Sequence, residues 1–130
     1  MAAAIGKSYA SAGIGPKDVD IAEVHDCFTI AEIMSMEAAG FCAPGEGAAY
    51  IRSGATALGG ERPVNTGGGL IGFGHPVGAT GVKQPLEIFR QMKGRCGAYQ
   101  VNKPLRWGIT SNMGGDDKTV VSLAIRNVEG

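Results

Sequence analysis

The sequence predicts an α/β layer sandwich, and two observations support this fold class. Segments with helical composition alternate along the chain with short β-branched runs, in the order helix, strand, helix, strand, helix, strand, strand. The 22 glycines occur in bursts without a regular period, which indicates tight turns and backbone packed close to other groups. No repeat, linker or low-complexity tract divides the chain, so we expect one domain over residues 1–130.

The first two helices each stop at a glycine. Residues 2–12 are rich in good helix formers and end at Gly13, which suits a C-cap. A turn containing glycine and proline then leads into a short strand over residues 21–24. Thr29 is a suitable N-cap for the second helix, whose apolar pattern ends at Gly40.

The middle of the chain is rich in glycine and is harder to divide. Residues 41–62 are predicted as a structured connection, and residues 63–66 as a strand that opens onto three glycines. A third helix is predicted from about residue 82 to residue 93. Pro85 fits this helix if it lies in the first turn, where its missing N–H costs no hydrogen bond.

Two strands close the chain. Residues 105–110 and residues 119–125 are the predicted strands, and the polar and glycine residues over 112–117 predict a hairpin around their connection. Because the chain begins with a helix, the strand that would normally precede that helix is missing.

Charge and cysteine content exclude several functional classes. The 12 basic residues balance the 12 acidic ones and form no basic run, which argues against a nucleic-acid surface. No apolar stretch is long enough to span a bilayer. Three irregularly spaced cysteines form no disulfide framework, and the two histidines leave a zinc site short of ligands, so no metal is predicted. We expect a reducing, intracellular compartment, with the cytoplasm and the organelles left open.

Both histidines, His25 and His75, lie where a predicted strand gives way to a loop. Functional sites of open α/β sheets gather at the carboxyl ends of strands, so both positions suit a site. A single histidine there would more often be a buried residue that is hydrogen-bonded to backbone. Two at equivalent positions, one of them beside a cysteine, favour a functional role.

Cys27 follows His25 by two residues and stands at the start of the second predicted helix. The partial positive charge of a helix N-terminus stabilises a thiolate, although most free cysteines are small buried apolar residues. Asp26 could orient His25 or cap the following helix. Cys42 and Cys96 have no such setting, and we expect no chemistry from them.

The glycine-rich segment GFGHPVGATG, residues 72–81, invites comparison with phosphate-binding loops. It lacks the GK[ST] ending of a P-loop and the strand–GxGxxG–helix form of a dinucleotide fold. The better interpretation is backbone that passes close to a reacting group, with His75 at the tip of the loop. Pro76 stiffens the loop by restricting both its own backbone and that of His75.

Taken together, HDCF at residues 25–28, NTGGGLI at 65–71 and GHPVGATG at 74–81 resemble the carboxy-terminal half of a thiolase. The similarity is closest to the sterol-carrier-protein-type branch, which has HDCF where conventional thiolases have NEAF. It extends over nearly the whole chain, including the dipeptide at 46–47 and the segment NMGG at 112–115.

The resemblance implies a thiolase-like α/β fold, layered α-β-α around a mixed sheet, that lacks the first strand of its half. Such enzymes join two βαβαβαββ halves in a five-layer sandwich and are usually dimeric. The expected partner is therefore a thiolase amino-terminal half, on the same or a separate chain, in a homodimer or higher oligomer of the full enzyme. We expect an apolar helix face that includes Ile33 and Met34 to pack between the halves.

The resemblance also implies roles for individual residues. His75 would help to activate the nucleophile and donate a hydrogen bond to the thioester oxyanion. His25 would stand where conventional thiolases use an asparagine to hold an oxyanion-hole water. Cys27 would serve as the acid/base. CoA and acyl-CoA would be substrates rather than bound cofactors. The expected substrate-binding residues are Gly74, Gly78, Asn112 and Gly114.

Two departures from the family pattern bear on activity. The late CxG motif of conventional thiolases is replaced by SNMG at residues 111–114, which leaves proton transfer to Cys27 or to no residue of this chain. The acylated nucleophilic cysteine and the loop domain that contacts CoA belong to the absent amino-terminal half. We therefore expect the catalytic half of a thiolase that cleaves or forms 3-ketoacyl-CoA, inactive as an isolated chain. The alternatives are a thiolase-like aldolase acting on a CoA-linked sterol side chain, and a non-catalytic partner or lipid-carrier subunit.

Overall fold

A mixed three-stranded sheet lies at the centre of the chain in the computed structural model, which describes residues 1–128. Strand β1 (Ile21–Val24) pairs in parallel with β2 (Trp107–Gly114), and β2 pairs antiparallel with β3 (Thr119–Arg126). The order in the sheet is β1-β2-β3, so β1 and β2 are adjacent although more than 80 residues separate them. The predicted mixed sheet is confirmed.

Five α-helices surround this sheet in the described part of the chain. They are α1 (Ala2–Ala12), α2 (Thr29–Ala38), α3 (Gly47–Arg52), α4 (Gly69–Phe73) and α5 (Thr80–Met92), with two short 3-10 turns at Pro16–Asp18 and Gly97–Tyr99. The predicted first helix is confirmed, and it ends as expected at Gly13, whose φ of 67° lies in the left-handed region. Helices α3 and α4 are too short to leave a clear apolar period in the sequence.

The start of α2 differs from the prediction. Phe28 occupies the N-cap position in an extended conformation, and Thr29 is the first helical residue. No side chain caps this terminus, so the expected capping role of Thr29 is wrong.

The predicted strand over residues 63–66 is also wrong. Val64 forms only an isolated parallel bridge with Ala22. The next residue, Asn65, has a φ of 50°, which turns the backbone out of the extended region. Its side-chain Oδ1 accepts a hydrogen bond from the N–H of Val24 at 2.8 Å, so a side chain takes the place of the next backbone rung.

Helix α5 begins two residues earlier than predicted. The carbonyl of Pro76 accepts hydrogen bonds from the N–H groups of Ala79 and Thr80, so the turn after Pro76 runs straight into the helix. Pro85 is therefore the sixth helical residue, inside the helix rather than in its first turn. It leaves the carbonyl of Gly81 without its usual partner four residues on.

The final hairpin is tighter than predicted. Strand β2 continues through Asn112 and Met113 to Gly114, which pairs with Thr119, and the turn is confined to residues 115–118. Asp116 and Asp117 lie in this turn, as the sequence predicts, with φ values of 54° and 67°. The consequence for the site is that Asn112 is held on a strand.

Each face of the sheet has its own apolar cluster, because side chains alternate along β1. Ala22 and Val24 pack with α1 and α2, whereas Ile21 packs with Ile88 of α5. Helices thus cover both faces, which confirms the predicted α-β-α layering. No helix in residues 1–128 combines the length and the apolar character that a membrane crossing requires.

Candidate active site

The end of β1 and the loop that follows α4 bring the two histidines together. The ring centroids of His25 and His75 are 4.9 Å apart, and their planes meet edge-on at 89°. Both rings line a cavity of about 960 Å³, together with Cys27, Asn112 and Gly114. Five of the seven predicted site residues therefore converge on one cavity.

His25 directly follows β1 and is buried. Its Nδ1 lies 2.7 Å from Oδ1 of Asn112 on β2, because the register that pairs Val24 with Ser111 places the next residues side by side. An amide oxygen only accepts, so Nδ1 of His25 carries the proton and Nε2 is the basic nitrogen of the neutral ring. A Cβ at Gly81 would lie 2.9 Å from Nδ2 of Asn112, so glycine there makes room for this side chain.

His75 is exposed and belongs to the loop between α4 and α5. Its predicted place at the end of a strand is therefore wrong, because a helix precedes this loop. Its Nδ1 lies 2.5 Å from Oγ1 of Thr80, the buried first residue of α5. A threonine hydroxyl can either donate or accept, so Nε2 of His75 is free to act as a base or as a donor. Sequence reasoning missed Thr80 as an orienting residue, although the segment GHPVGAT places it five residues after the histidine.

Cys27 presents an exposed thiol to the same cavity. It directly precedes Phe28, the N-cap of α2, as the helix-start prediction requires. Cys42 is half-buried and Cys96 is buried, and burial raises the pKa of both thiols. Cys27 is thus the exposed cysteine at the cavity.

Asp26 has neither of the two roles that the sequence suggested. Its buried Oδ1 accepts a hydrogen bond from the N–H of Leu70 at 2.8 Å. Asp26 therefore binds the N-terminus of α4 rather than that of α2. It does not orient His25 either, because the hydrogen-bond partner of that ring is Asn112. A Cβ at Gly69 would collide with this carboxylate. Asp26 therefore joins the segment that carries His25 and Cys27 to the helix that precedes His75.

The wall of the cavity beyond the polar groups is apolar. Phe28, Ile30, Met34, Val77 and Val121 contribute to it, and all five side chains are exposed large hydrophobic groups. The arrangement places two imidazoles and a thiol, which can move protons and stabilise a negative oxygen, beside an apolar surface that suits a hydrocarbon chain.

Gly74 and Gly78, predicted as substrate-binding residues, flank His75 in its loop and are not among the lining residues of the cavity. Gly74 ends α4 with a φ of 83°, a conformation that favours glycine. Within residues 1–128, no group of three or more His, Cys, Asp or Glu side chains is placed to hold a metal ion.

Three known proteins are similar to the chain in sequence. The chain is 43% identical over 107 residues to the benzoylsuccinyl-CoA thiolase subunit BbsB of Thauera aromatica. This match covers 82% of this chain and 28% of that protein. It is 41% identical over 117 residues to sterol carrier protein 2 of Rattus norvegicus, covering 90% of this chain and 21% of the relative. It is 42% identical over 112 residues to an acetyl-CoA acetyltransferase of Methanothermobacter thermautotrophicus, covering 86% of this chain and 29% of the relative. The chain thus spans about a quarter of the length of these relatives.

A solved structure, the Ltp2-ChsH2(DUF35) aldolase, superposes with a TM-score of 0.82 at 27% sequence identity, over 96% of this chain and 31% of that one. A family model described as thiolase C-terminal domain-like matches residues 1–125. The chain therefore belongs to the thiolase C-terminal domain-like family, as the HDCF and GHPVGATG motifs predict.

Proposed function

We propose that the chain is the carboxy-terminal catalytic part of a thiolase-type acyltransferase, which cleaves a 3-ketoacyl-CoA with free CoA or runs the reverse condensation. The observation that carries the proposal is the edge contact of His25 with His75 at a cavity to which Cys27 also presents its thiol. Such a group of proton-transfer residues beside an apolar wall suits carbon–carbon cleavage next to a thioester.

In the cleavage direction, a cysteine on the remaining part of the enzyme is the nucleophile. Nε2 of His75 takes its proton, and the sulfur attacks the 3-keto carbon of the substrate. The C2–C3 bond then breaks, its electron pair passes to the enolate of acetyl-CoA, and Cys27 gives its proton to C2. A second CoA thiol returns a proton to Cys27 and takes up the acyl group, and His75 returns its proton to the nucleophilic sulfur.

The two histidines have different parts in stabilising the enolate oxygen. Once protonated, His75 donates a hydrogen bond from Nε2 to that oxygen. Nε2 of His25 accepts a hydrogen bond from a water molecule, which donates its other proton to the same oxygen. Contacts of this kind contribute on the order of 3 kcal/mol each to transition-state stabilisation. CoA and acyl-CoA are substrates in this scheme, and the apolar wall receives the acyl chain.

The nucleophile requires a partner, and we propose that the amino-terminal half of a thiolase packs on α4 and α5. Val82, Leu86 and Phe89 recur at helical spacing on one side of α5, and Ile71 and Phe73 of α4 are also exposed. An exposed apolar set of this extent marks an interaction surface. The short span of the chain relative to its relatives supports a partner domain or subunit.

This surface differs from the predicted one. Ile33 is half-buried, and Met34 is exposed but lines the cavity. The apolar side chains of α2 therefore fit substrate contact better than contact between halves.

A second candidate is a thiolase-like aldolase, which the structural similarity to the Ltp2-ChsH2(DUF35) aldolase favours. Retro-aldol cleavage proceeds without an acyl-cysteine intermediate, so it requires no nucleophilic cysteine from a partner. The presence of Cys27 at the cavity favours the thiolase.

Native mass spectrometry of the protein from its source, followed by assay of any complex, tests the proposal. We expect a co-purifying polypeptide, or a longer parent chain, that supplies the nucleophile, and CoA-dependent cleavage of a 3-ketoacyl-CoA. Cys27→Ala should abolish most of this activity, whereas Cys42→Ala should preserve it. CoA-independent cleavage of a 3-hydroxyacyl-CoA that survives Cys27→Ala would support the aldolase instead.

A further inference from the structure

The ammonium group of Lys83 contacts two segments that are remote in sequence. Its Nζ donates a hydrogen bond to Oε2 of Glu23 on β1 at 3.3 Å, and it lies 4.1 Å from the ring centroid of Phe73, the last residue of α4. Lys83 itself belongs to the first turn of α5. One side chain thus joins a strand and two helices.

The two residues that Lys83 contacts are equally far from the two histidines in the sequence. Glu23 is two residues before His25, and Phe73 is two residues before His75. Lys83 follows Thr80, which orients the His75 ring, by three residues. The Lys83 ammonium therefore holds the segment leading to one histidine against both ends of the loop that carries the other.

The burial of the pair does not suit a simple stabilising role. The Glu23 side chain is 1% exposed, and its Oε1 is buried without a hydrogen-bond partner in the structure. Removing a carboxylate and an ammonium from water costs much of what their attraction contributes, so such pairs add little net stability. A buried pair can instead select one arrangement of the chain segments that it joins.

We propose that Lys83 is a positioning residue, which sets the edge contact between His25 and His75 by joining Glu23 to Phe73. Asn112 and Thr80 each orient a single ring, whereas Lys83 relates the two segments that bear both rings. The Asp26 contact with Leu70 anchors the beginning of α4, and the Lys83 contact anchors its end. The inference rests on the proposed function for the importance of the two rings, but ring geometry can be measured without turnover.

The chain contains only two histidines, so a sample labelled with ¹³C and ¹⁵N in histidine shows two ring systems by NMR. In the wild-type chain, in the form in which it is purified and at pH 8, where Glu23 is ionised, we expect a nuclear Overhauser effect (NOE) between the carbon-bound protons of the two rings. We expect Lys83→Met and Glu23→Gln to lose this cross-peak, and Lys83→Arg to restore part of it because arginine also pairs with a carboxylate and stacks on a ring. Lys7→Met, on the exposed face of α1, should leave it unchanged.

Backbone amide spectra identify which variants fold. If Lys83→Met and Glu23→Gln both fold and keep the inter-ring cross-peak, the positioning role is wrong. If both variants unfold while Lys7→Met does not, the pair is required for the fold in general, and the specific role is again wrong. If only one of these two variants folds, loss of its inter-ring cross-peak supports the positioning role and retention of the cross-peak contradicts it. Absence of thiolysis in the wild-type complex would overturn the proposed function and leave this result untouched.

Discussion

Nδ1 of His25 lies 2.7 Å from Oδ1 of Asn112, although 87 residues separate the two in the sequence. The parallel pairing of β1 with β2 creates this contact, because both residues stand one position beyond the paired Val24 and Ser111. The hydrogen bond fixes the tautomer of His25 and thereby leaves Nε2 for chemistry. The geometry of the His25 ring at the cavity is thus a direct product of the sheet register.

The first prediction follows from this contact. We expect Asn112→Ala to destabilise the chain by about 1–3 kcal/mol, because the buried Nδ1–H of His25 loses its acceptor. We also expect thiolysis by the complex to fall, since the ring is free to turn. Urea unfolding and turnover measure the two effects. Asn102→Ala, at an exposed position, is the control, and equal effects of the two variants would contradict the prediction.

The second prediction concerns the close approach of α4 to Asp26. Gly69→Ala should destabilise the chain strongly, because its Cβ would meet the Asp26 carboxylate and its φ of 58° disfavours alanine. Gly6→Ala lies within α1, where a Cβ would meet nothing within 4 Å, and should stabilise by about 0.5–1 kcal/mol. Thermal unfolding of both variants tests the opposite signs. Similar melting temperatures would show that the Asp26 contact is looser than described.

The sequence predicts a feature of the site where it depends on neighbouring residues. It does not predict contacts between residues that are far apart in the sequence. The two histidines and Cys27 are predictable from motifs, which are local properties, and His25 also from its position at the end of a strand. The backbone N–H that donates to Asp26 is not predictable in this way, because Leu70 lies 44 residues away and is brought near by the backbone turn at Asn65. Thr80 is not predicted because helix α5 starts two residues earlier than its apolar pattern indicates, which hides its place in the first turn. The contact of Lys83 is not predicted because its partner Glu23 lies 60 residues away in the sequence.

The fold follows the same division. The long helices and the two final strands have strong periods in the sequence and were predicted. The segment at residues 63–66 has strand composition, but the positive φ of Asn65 limits it to one bridge. The hydrogen bond from the N–H of Val24 to the Asn65 side chain stabilises that conformation. No local sequence pattern indicates this contact.

The third prediction is a pH dependence of stability. Burial, with smaller contributions from Glu87 and Asp26, raises the pKa of Glu23 to about 7 against the attraction of Lys83. The folded chain therefore binds this proton more tightly than the unfolded chain. The free energy of unfolding falls as pH rises from 4.5, the ordinary pKa of a glutamate, through about 7. A shift of this size corresponds to a loss of about 3 kcal/mol.

Urea unfolding at pH 5 and pH 8 measures this loss. Glu23→Gln removes the titrating group, so the variant should show a smaller decrease in stability between the two pH values than the wild-type chain does. Glu61→Gln, at an exposed carboxylate, should behave like wild type. A decrease that is identical in all three proteins would contradict the assignment to Glu23.

The fourth prediction concerns thiol reactivity. The Cys27 thiol is exposed at the cavity, Cys42 is half-buried and Cys96 is buried. A colorimetric thiol reagent should modify Cys27 first, Cys42 more slowly and Cys96 only after unfolding. Peptide mapping of the product identifies the modified residue. Rapid labelling of a Cys27→Ala chain would show that another thiol is accessible.

The last prediction concerns the apolar surface of α4 and α5. Val82, Leu86 and Phe89 lie exposed along one side of α5, so the isolated chain should associate with itself at micromolar concentrations. Leu86→Lys should reduce this association, because a charge at the middle of the surface must be desolvated on contact. Val128→Lys, an exposed position outside the surface, is the control. Sedimentation velocity measures both variants. The isolated wild-type chain should also lack thiolysis, because the proposed mechanism takes its nucleophile from an amino-terminal half. A monodisperse monomer would contradict the first expectation, and activity of the purified chain would contradict the second.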